Sequence, residues 1–182
     1  MPSTTEQERL PVKAARDGDP EAWDTLFRRY QLPLYSYVRE WTQDEQAALD
    51  IVQEVMVSAV RHLAGLRDDA RFGSWLFGIA HQKCIQHWRK RRLALEPLEE
   101  DGGALADPGD DPAAWLVRKE EEERFMHSLS QLPEHQRAVL MLHFLEGFSL
   151  AEIANITGVG LGTVKSRMHY AKQALRRGLE EE

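Results

Sequence analysis

The stretch FSLAEIANITGVGLGTVKSRMHYAKQALRR, residues 148–177, decides the fold of the second half of this 182-residue chain. Ser149 followed by Glu152 predicts a capping box, in which the serine oxygen accepts from the third helical amide and the glutamate returns to the cap. The short helix that follows has an inward side of three apolar residues: Leu150, Ile153 and Ala154. Thr157 and Gly158 predict its end, because glycine adopts the left-handed conformation at little cost.

A second helix is predicted from about Leu161, because apolar residues recur with helical spacing at Val164, Met168, Ala171 and Leu175. From Thr163 to Gly178 there are five basic residues and no acidic one. A short helix, a glycine turn and a basic second helix are typical of a DNA-binding helix-turn-helix. The alternative is an ordinary helical hairpin with a solvated basic face. The agreement of cap, turn, stripe and charge favours DNA binding.

The net charge of −7 conceals a strong segregation of charge along the chain. Residues 61–92 contain eight Lys and Arg against two aspartates, a local charge of +6. Residues 93–123 contain eleven Asp and Glu against Arg118 and Lys119, a local charge of −9. Two basic regions separated by an acidic segment indicate nucleic-acid contacts better than the total charge does.

Composition also bounds the class of protein. No run of about 18 apolar residues is present, and the start MPSTTEQERLP lacks the apolar core of a secretory signal. The single cysteine, Cys84, excludes an internal disulfide and fits a reducing compartment. We therefore expect a cytoplasmic protein without membrane insertion. A clustered carboxylate site, a phosphate-binding glycine loop and a nucleophile–base pair are all missing, so we expect neither an enzyme nor a cofactor.

Three long helices are predicted in the first half of the chain. Asp19 and Pro20 predict the start of the first, and Pro33 is expected to kink or divide it. Its core-facing residues are predicted to be Trp23, Leu26, Phe27, Tyr30, Leu34, Tyr37, Val38 and Trp41. The second runs from about Gln43 to Leu63. Its predicted buried side consists of Ala48, Ile51, Val52, Val55, Ala59 and Leu63.

After a predicted loop at Gly65–Gly73, the third helix spans Phe72–Arg92. Its predicted inward residues are Leu76, Ile79, Ala80, Cys84 and Trp88. The spacing of His81, Cys84 and His87 invites a zinc interpretation, but the outer two lie about 120° apart around a helix and no fourth ligand is apparent. A core cysteine is the favoured interpretation. Four successive cations at the helix end, with aromatics and amides upstream, favour a surface that follows phosphates and stacks bases.

The chain is predicted to be all-α, with two small helical domains joined by a flexible acidic linker. The domains are residues 1–92 and 113–182, and the linker, residues 93–112, contains Gly102, Gly103 and many acids. A fourth helix is predicted from about Ala113, with Trp115, Leu116, Phe125, Met126 and Leu129 inward. Pro133 predicts the start of a fifth helix, which ends at Gly147 and buries Ala138, Val139, Leu142 and Leu145.

The segment LPEHQRAVLMLHFLEGFSLAEIANITGVGLGTVKSRMHYAKQALRR, residues 132–177, closely resembles the C-terminal promoter-binding domain of bacterial RNA polymerase sigma factors. DIVQEVMVSAVRHL, residues 50–63, and FGSWLFGIAHQKCIQHWRKRR, residues 72–92, resemble the N-terminal domain of that family. With these two domains and a short linker, the chain is identified as a member of the extracytoplasmic-function (ECF) class of the sigma-70 family.

The resemblance implies a protein that joins core RNA polymerase, directs it to promoter DNA and helps to open the duplex. It also implies three sets of contact residues. One face of the second helix, containing Asp50, Gln53, Glu54 and Val57, is implied to dock on polymerase. The pattern alone instead favours a solvated face with one stray valine. An anti-sigma factor is a further partner that the family implies.

The two DNA-contacting sets follow from the same resemblance. The upstream (minus thirty-five) element would be contacted by Thr163, Lys165, Ser166, Arg167, His169, Tyr170 and Lys172. The downstream (minus ten) element would be contacted by Arg71, Trp75, Gln82, Gln86, Arg89, Lys90, Arg91 and Arg92, with a flipped base held beside the loop at 66–72. The alternative function is a stand-alone helix-turn-helix transcriptional regulator. It would need a dimerisation surface, and the sequence has no evident coiled coil.

Overall fold

A computed structural model of the chain describes residues 10–93, 125 and 127–180, and all regular structure in these ranges is helical. Residue contacts divide the chain into two compact units, with the first break at Arg91 and Arg92. The predicted linker after Leu93 and most of the predicted fourth helix lie outside the described residues. Among the helices that are described, none combines the length and apolar character needed to cross a membrane.

The N-terminal unit contains four α-helices: α1 (Val12–Arg16), α2 (Pro20–Thr42), α3 (Glu45–His62) and α4 (Phe72–Leu93). Between α3 and α4 lie two short 3₁₀ turns, Leu63–Gly65 and Asp69–Arg71, where the sequence predicted only a loop. Helix α1 was not predicted from the sequence. Its residues Val12 and Ala15 are buried, so this short helix belongs to the core of the unit.

Helix α2 begins as predicted. The Asp19 carboxylate accepts from the Glu21 amide at 2.9 Å, and Pro20 occupies the first helical position. The expectation that Pro33 divides this helix is wrong, because α2 continues through it to Thr42. Proline has no backbone amide hydrogen to donate to the helix. This loss is tolerated because Leu34 and buried residues after it anchor the helix in the core. Four of the aromatic side chains predicted as core are only half-buried: Trp23, Phe27, Tyr30 and Trp41.

The core of the N-terminal unit forms where α2, α3 and α4 bury their apolar residues. Its members on α3 and α4 include Ala48, Ile51, Val55, Ala59, Phe72, Leu76, Phe77, Ala80 and Cys84. Val52, Ile79 and Trp88, predicted to be buried, are half-exposed, whereas Phe72 and Phe77 were not predicted. Helix α4 therefore presents a wider buried surface than its apolar spacing indicates.

A buried polar contact crosses this core. The hydroxyl of Tyr37 lies 2.8 Å from Nδ1 of His81, and the ring of Tyr37 meets that of Phe77 edge-on at 5.6 Å. Burial raises the pKa of the Tyr37 hydroxyl well above its usual value. Cys84 is 1% exposed, so its interpretation as a core cysteine is confirmed. Burial raises the pKa of its thiol to about 12.

The described part of the C-terminal unit contains a helical stretch at 127–130, then α5 (Glu134–Phe144), α6 (Leu150–Thr157) and α7 (Leu161–Glu180). Leu129, Ala138, Val139 and Leu142 are buried as predicted. Two predictions are wrong: Phe125 is 37% exposed and Leu145 is 60% exposed. Helix α5 ends at Phe144, earlier than Gly147, so Leu145 no longer follows its buried stripe.

The helix-turn-helix forms for the reasons that its sequence suggests. The Ser149 amide donates to the Glu152 carboxylate at 2.8 Å, and the Glu152 amide donates back to Ser149 Oγ at 3.3 Å. Gly158 has φ +69°, and the Val159 amide donates to the Ala154 carbonyl at 3.2 Å, which completes a Schellman-type end. The capping box and the glycine stop are confirmed.

Helix α7 packs through the predicted stripe. Val164, Met168 and Ala171 are buried, while Leu175 is half-exposed. On α6, Ile153 is fully buried, whereas Leu150 and Ala154 are half-buried. The stripe fixes the rotation of α7 about its axis, so its polar residues face away from the core of the unit.

Candidate nucleic-acid and polymerase interfaces

The surface of α7 displays the residues predicted for the upstream element. Six of them are exposed: Thr163, Lys165, Ser166, His169, Tyr170 and Lys172. Arg167 is half-exposed. Tyr170 is 58% exposed, a large fraction for an aromatic side chain, so most of its ring can meet a partner. The structure thus brings all seven residues to the solvent-facing side of one helix.

Several of these side chains have partners within the unit. Ser166 Oγ donates to the Gly162 carbonyl oxygen at 3.1 Å, so its hydroxyl hydrogen is used by its own helix while its lone pairs remain available. The rings of His169 and Tyr170 meet edge-on at 5.5 Å. Lys172 Nζ lies 5.2 Å from the centroid of the Phe144 ring, a cation–π contact that holds this ammonium group near α5.

Arg167 is electrostatically coupled to His135 at the start of α5. The His135 imidazole has lost part of its hydration to the surrounding protein, which lowers its pKa below the usual 6.5. The positive charge of Arg167 lowers that pKa further. His135 is therefore kept neutral near pH 7, and the positive charge at this end of α7 belongs to Arg167 and Lys165.

Sequence reasoning missed an apolar element of this surface. Phe144 is 60% exposed and Leu161 is 42% exposed, at the end of α5 and the start of α7. The only signal in the sequence was their position outside the buried stripes, at helix ends.

The side chains predicted for the downstream element line the outer side of α4 and the turn before it. Trp75 is half-buried, with its ring 5.8 Å from that of Phe72. The others with a described side chain are exposed: Arg71, Gln82, Gln86, Arg89, Lys90 and Arg91. The side chain of Arg92 lies outside the described residues. Amides, an aromatic ring and cations therefore share one helix.

Two of these arginines have structural contacts. Arg71 Nε lies 3.3 Å from the Asp68 carboxylate, three residues earlier. Arg91 Nη1 donates to the carbonyl oxygen of Thr42 at 3.0 Å. Thr42 is the last residue of α2, where helical carbonyls lack intrahelical partners, so Arg91 caps that helix and ties α4 to it.

Helix α3 presents the residues predicted to dock on polymerase. Asp50, Gln53 and Glu54 are exposed, and Val57 is 44% exposed. Asp50 accepts from Gln46 Nε2 at 3.0 Å, which holds the carboxylate along the helix axis. Glu54 pairs with Lys83 of α4 at 2.8 Å, and this hydrogen bond, together with the charge of Lys83, lowers the pKa of the Glu54 carboxyl.

The same face contains apolar residues that the sequence argument did not single out. Leu49 is 48% exposed and Val60 is 50% exposed. At 100° per residue, Leu49, Gln53, Val57 and Val60 fall within about one quarter of the helix circumference. Val57 is therefore not a stray valine, since it belongs to an exposed apolar strip bordered by carboxylates.

Comparisons with known proteins agree with this geometry. A family model for Sigma-70 region 2 matches residues 26–94, which contain α3 and α4, and a model for Sigma-70 region 4 matches residues 122–175, which contain the helix-turn-helix. The chain is 33% identical to the RNA polymerase sigma-H factor of Pseudomonas aeruginosa, across 97% of this chain and 96% of that protein. It is 31% identical to the ECF RNA polymerase sigma-E factor of Escherichia coli K12, across 90% of each.

Solved structures show the same architecture. CnrH, in complex with the cytosolic domain of CnrY, superposes with a TM-score of 0.70 at 25% identity, covering 97% of this chain and 99% of that one. RpoE of Bartonella quintana, in complex with the anti-sigma factor NepR, superposes with a TM-score of 0.69 at 23% identity, covering 85% and 96%. The second likeness supports the fold alone.

The chain belongs to the sigma-70 family of RNA polymerase sigma factors, in its ECF class. It is accordingly an initiation factor that binds RNA polymerase and gives it promoter specificity, and the relatives do not favour the stand-alone regulator. The relatives named above are sigma factors, which are not enzymes.

Proposed function

We propose that the two units grip separate elements of one promoter while the N-terminal unit is docked on core polymerase. The functional division is residues 1–92, 93–112 and 113–182, in keeping with family models that match residues 26–94 and 122–175. The acidic linker, which lies outside the described residues, follows a polymerase channel built for nucleic acid. Its negative charge is matched there by the positive walls of that channel.

The upstream element is read by α7. The observation that carries this step is the rotation of the helix: Val164, Met168 and Ala171 are buried, so Lys165, His169 and Tyr170 all face solvent. A helix in the major groove contacts base edges through residues near its N-terminus. We assign Arg167 and Lys165 to phosphates, and Ser166, His169 and Tyr170 to the groove. Thr163 and Lys172 flank this set on the same exposed surface.

The downstream element is held by α4 and the turn before it. Unstacking a base costs a few kcal/mol. Stacking on Trp75 and hydrogen bonds from Gln82 and Gln86 offset that cost, since an aromatic face and amide groups can recognise an extruded base. Arg71, Arg89, Lys90 and Arg92 neutralise phosphates, which makes binding salt-dependent. Arg91 contributes its charge while it caps α2.

The exposed face of α3 docks on polymerase. Leu49, Val57 and Val60 supply the apolar contact, and Asp50, Gln53 and Glu54 border it with polar groups. An apolar centre with a polar rim is the usual composition of a specific protein interface. The free chain exposes all of these groups.

We further propose that the protein acts in the cytoplasm, has no catalytic activity or cofactor of its own and is held inactive by an anti-sigma factor. CnrH, which shares its fold over almost the whole chain, was solved with a protein partner. A regulatory partner of that kind would cover the surfaces that polymerase and DNA require.

In vitro transcription tests the main proposal. Core polymerase with this chain should initiate at a restricted set of start sites on genomic DNA, and core polymerase alone should not. Gel shifts provide the second arm: the isolated chain should bind those promoters weakly, and polymerase should confer specificity. Tight sequence-specific binding by the isolated chain, or an unchanged set of start sites, would overturn it.

A further inference from the structure

Arg16, the last residue of α1, fastens the turn between α3 and α4. Its Nη2 donates to the Leu66 carbonyl oxygen at 3.0 Å, and its Nε points to the Leu63 carbonyl oxygen at 3.5 Å. The same guanidinium pairs with the carboxylate of Asp69. These partners lie 47 to 53 residues further along the chain, so one side chain joins the start of the unit to both 3₁₀ turns.

The helix that carries Arg16 is anchored in the core of the N-terminal unit. Val12 is fully buried and Ala15 is 2% exposed, so the helix that carries Arg16 is fixed in the core. The side chain of Arg16 is itself only 26% exposed. A guanidinium group is planar and donates in fixed directions, so several acceptors in one turn are held in a defined relation to each other.

We propose that Arg16 is a positioning residue for downstream promoter reading: it fixes residues 63–71 in the conformation that receives an extruded base of the non-template strand. This inference rests on the proposed role of that turn in holding a base. Arg16 lies before residue 26, where the match to the family model begins. It is not among the residues that the sequence predicted to touch DNA.

The charge of Arg16 contributes in a second way. The turn contains two adjacent carboxylates, Asp68 and Asp69, in a region that would approach DNA phosphates. Asp68 caps the Ala70 amide at 3.1 Å and pairs with Arg71, while Asp69 pairs with Arg16. Without Arg16, the Asp69 carboxylate would lose this ion pair, and its negative charge would oppose the approach of the phosphate backbone.

The test is a selection with the full-length chain assembled on core polymerase. The probe is a fork-junction DNA with a fixed upstream duplex and a randomised non-template single strand downstream. Wild type should enrich particular bases at one or more positions. Arg16→Ala should lower that enrichment by about tenfold, as expected for lost hydrogen bonds to a charged group. Arg16→Lys should give an intermediate loss, since it retains the charge without the forked geometry.

Arg28→Ala is the matched control. Arg28 also belongs to an ion pair of the same unit, 2.8 Å from Asp24 on α2, but this pair is exposed and is not part of the turn. It should enrich the same bases as wild type. Polymerase association and binding to the upstream duplex should be unchanged in both variants, whereas a merely structural loss in Arg16→Ala would reduce these too.

Three results would overturn the proposal: wild-type enrichment by folded Arg16→Ala, an equal loss in Arg28→Ala, or a parallel loss of polymerase binding. If Arg16→Ala does not fold, Arg16→Lys and Asp69→Asn replace it in the selection, because each keeps most of the local packing. Wild-type enrichment by both of these variants would then overturn the proposal. If wild type itself enriches no base, the base-holding role of the turn fails, and the positioning role fails with it. Wild-type enrichment that Arg16→Ala retains removes only the positioning role.

Discussion

Lys83 Nζ lies 2.8 Å from Glu54 Oε2, so an ion pair joins the helix proposed to grip DNA to the helix proposed to dock on polymerase. The two helices also share a buried core, which includes Val55 of α3 and Leu76 of α4. The carboxylates proposed to face polymerase and the amides proposed to face DNA are therefore carried by helices that share one core and one ion pair.

Lys83→Ala should return the pKa of the Glu54 carboxyl upward, toward 4.5, because the hydrogen bond and the charge of Lys83 lower it. A carboxyl whose pKa is lower in the folded state than in the unfolded state stabilises the fold at pH values above its unfolded-state pKa. This stabilisation is lost as pH falls through the folded-state pKa. Glu54 is 64% exposed, so thermal stability at neutral pH should change by less than about 1 kcal/mol. Titration of the Glu54 carboxyl by NMR measures the shift; an unmoved midpoint would contradict the pairing.

Asp50→Ala should weaken association with core polymerase by about tenfold, the effect of one lost hydrogen bond to a charged group at an interface. Fluorescence anisotropy with labelled chain measures the affinity. Glu21→Gln is the control, since Glu21 is an exposed carboxylate in the first turn of another helix, α2, and does not belong to the proposed docking face. Equal affinities for wild type and Asp50→Ala would remove Asp50 from the docking face.

Arg167→Ala should reduce promoter-dependent transcription without lowering the melting temperature, because Arg167 lies outside the buried stripe. If Arg167 contacts a phosphate, the slope of log affinity against log salt should fall by about one. Arg177→Ala, near the other end of α7 and about 15 Å along its axis, should leave both readouts unchanged. Run-off transcription equal to wild type would exclude Arg167 from the interface.

The stability of the C-terminal unit should depend on His135 below neutral pH. Its folded-state pKa is lowered by lost hydration and then by Arg167, so the unfolded chain binds the proton first as pH falls. Stability is therefore highest at pH values above the unfolded-state pKa of His135, about 6.5, and it declines as pH falls through the lower folded-state pKa. His135→Gln should flatten this part of the pH profile of the melting temperature. Arg167→Ala should raise the His135 midpoint in an NMR titration, and a midpoint at or above 6.5 in wild type would be inconsistent with this account.

Gly158→Ala should destabilise the helix-turn-helix by about 1 kcal/mol, because alanine is strained at the positive φ of 69° found there. No atom stands within 4 Å of an added Cβ, so the cost is purely conformational. Gly162→Ala is the control, for which the opposite sign is expected. It also adds a Cβ in open space, but Gly162 lies within helix α7, so alanine should stabilise the helix-turn-helix by about 0.5–1 kcal/mol. Thermal unfolding that shows the same sign for both variants would contradict this reasoning.

Much of this fold could be predicted from the sequence because its signals are local. Ser149 and Glu152 are three residues apart, Gly158 acts on its own backbone, and the Val164 stripe repeats along one helix. The sequence did not predict α1, since five residues are too few for a helical period to emerge. The contacts of Arg16, and of Arg91 with Thr42, join residues about 50 positions apart, and no local pattern records such pairs.

Some residues of the candidate interfaces could likewise be predicted from local sequence patterns, whereas others become evident only in the folded chain. Exposure of Lys165, His169 and Tyr170 follows from helical geometry once the buried stripe is known. The exposed apolar strip with Leu49 and Val60 was overlooked, because an apolar residue outside a stripe is usually incidental and only the folded surface shows several together. Leu145 was wrongly placed in the core for a related reason: its spacing fits α5, but the helix has already ended.

The hydrogen bond from Arg91 to the end of α2 has a consequence for chimaeras that combine this chain with a related sigma factor. A chimaera that received four lysines at 89–92 would keep its charge, yet it would lose the planar donor that satisfies the Thr42 carbonyl. Exchanging Arg89 or Lys90 leaves this hydrogen bond in place, whereas a chimaera without arginine at position 91 loses the tie between α4 and the end of α2.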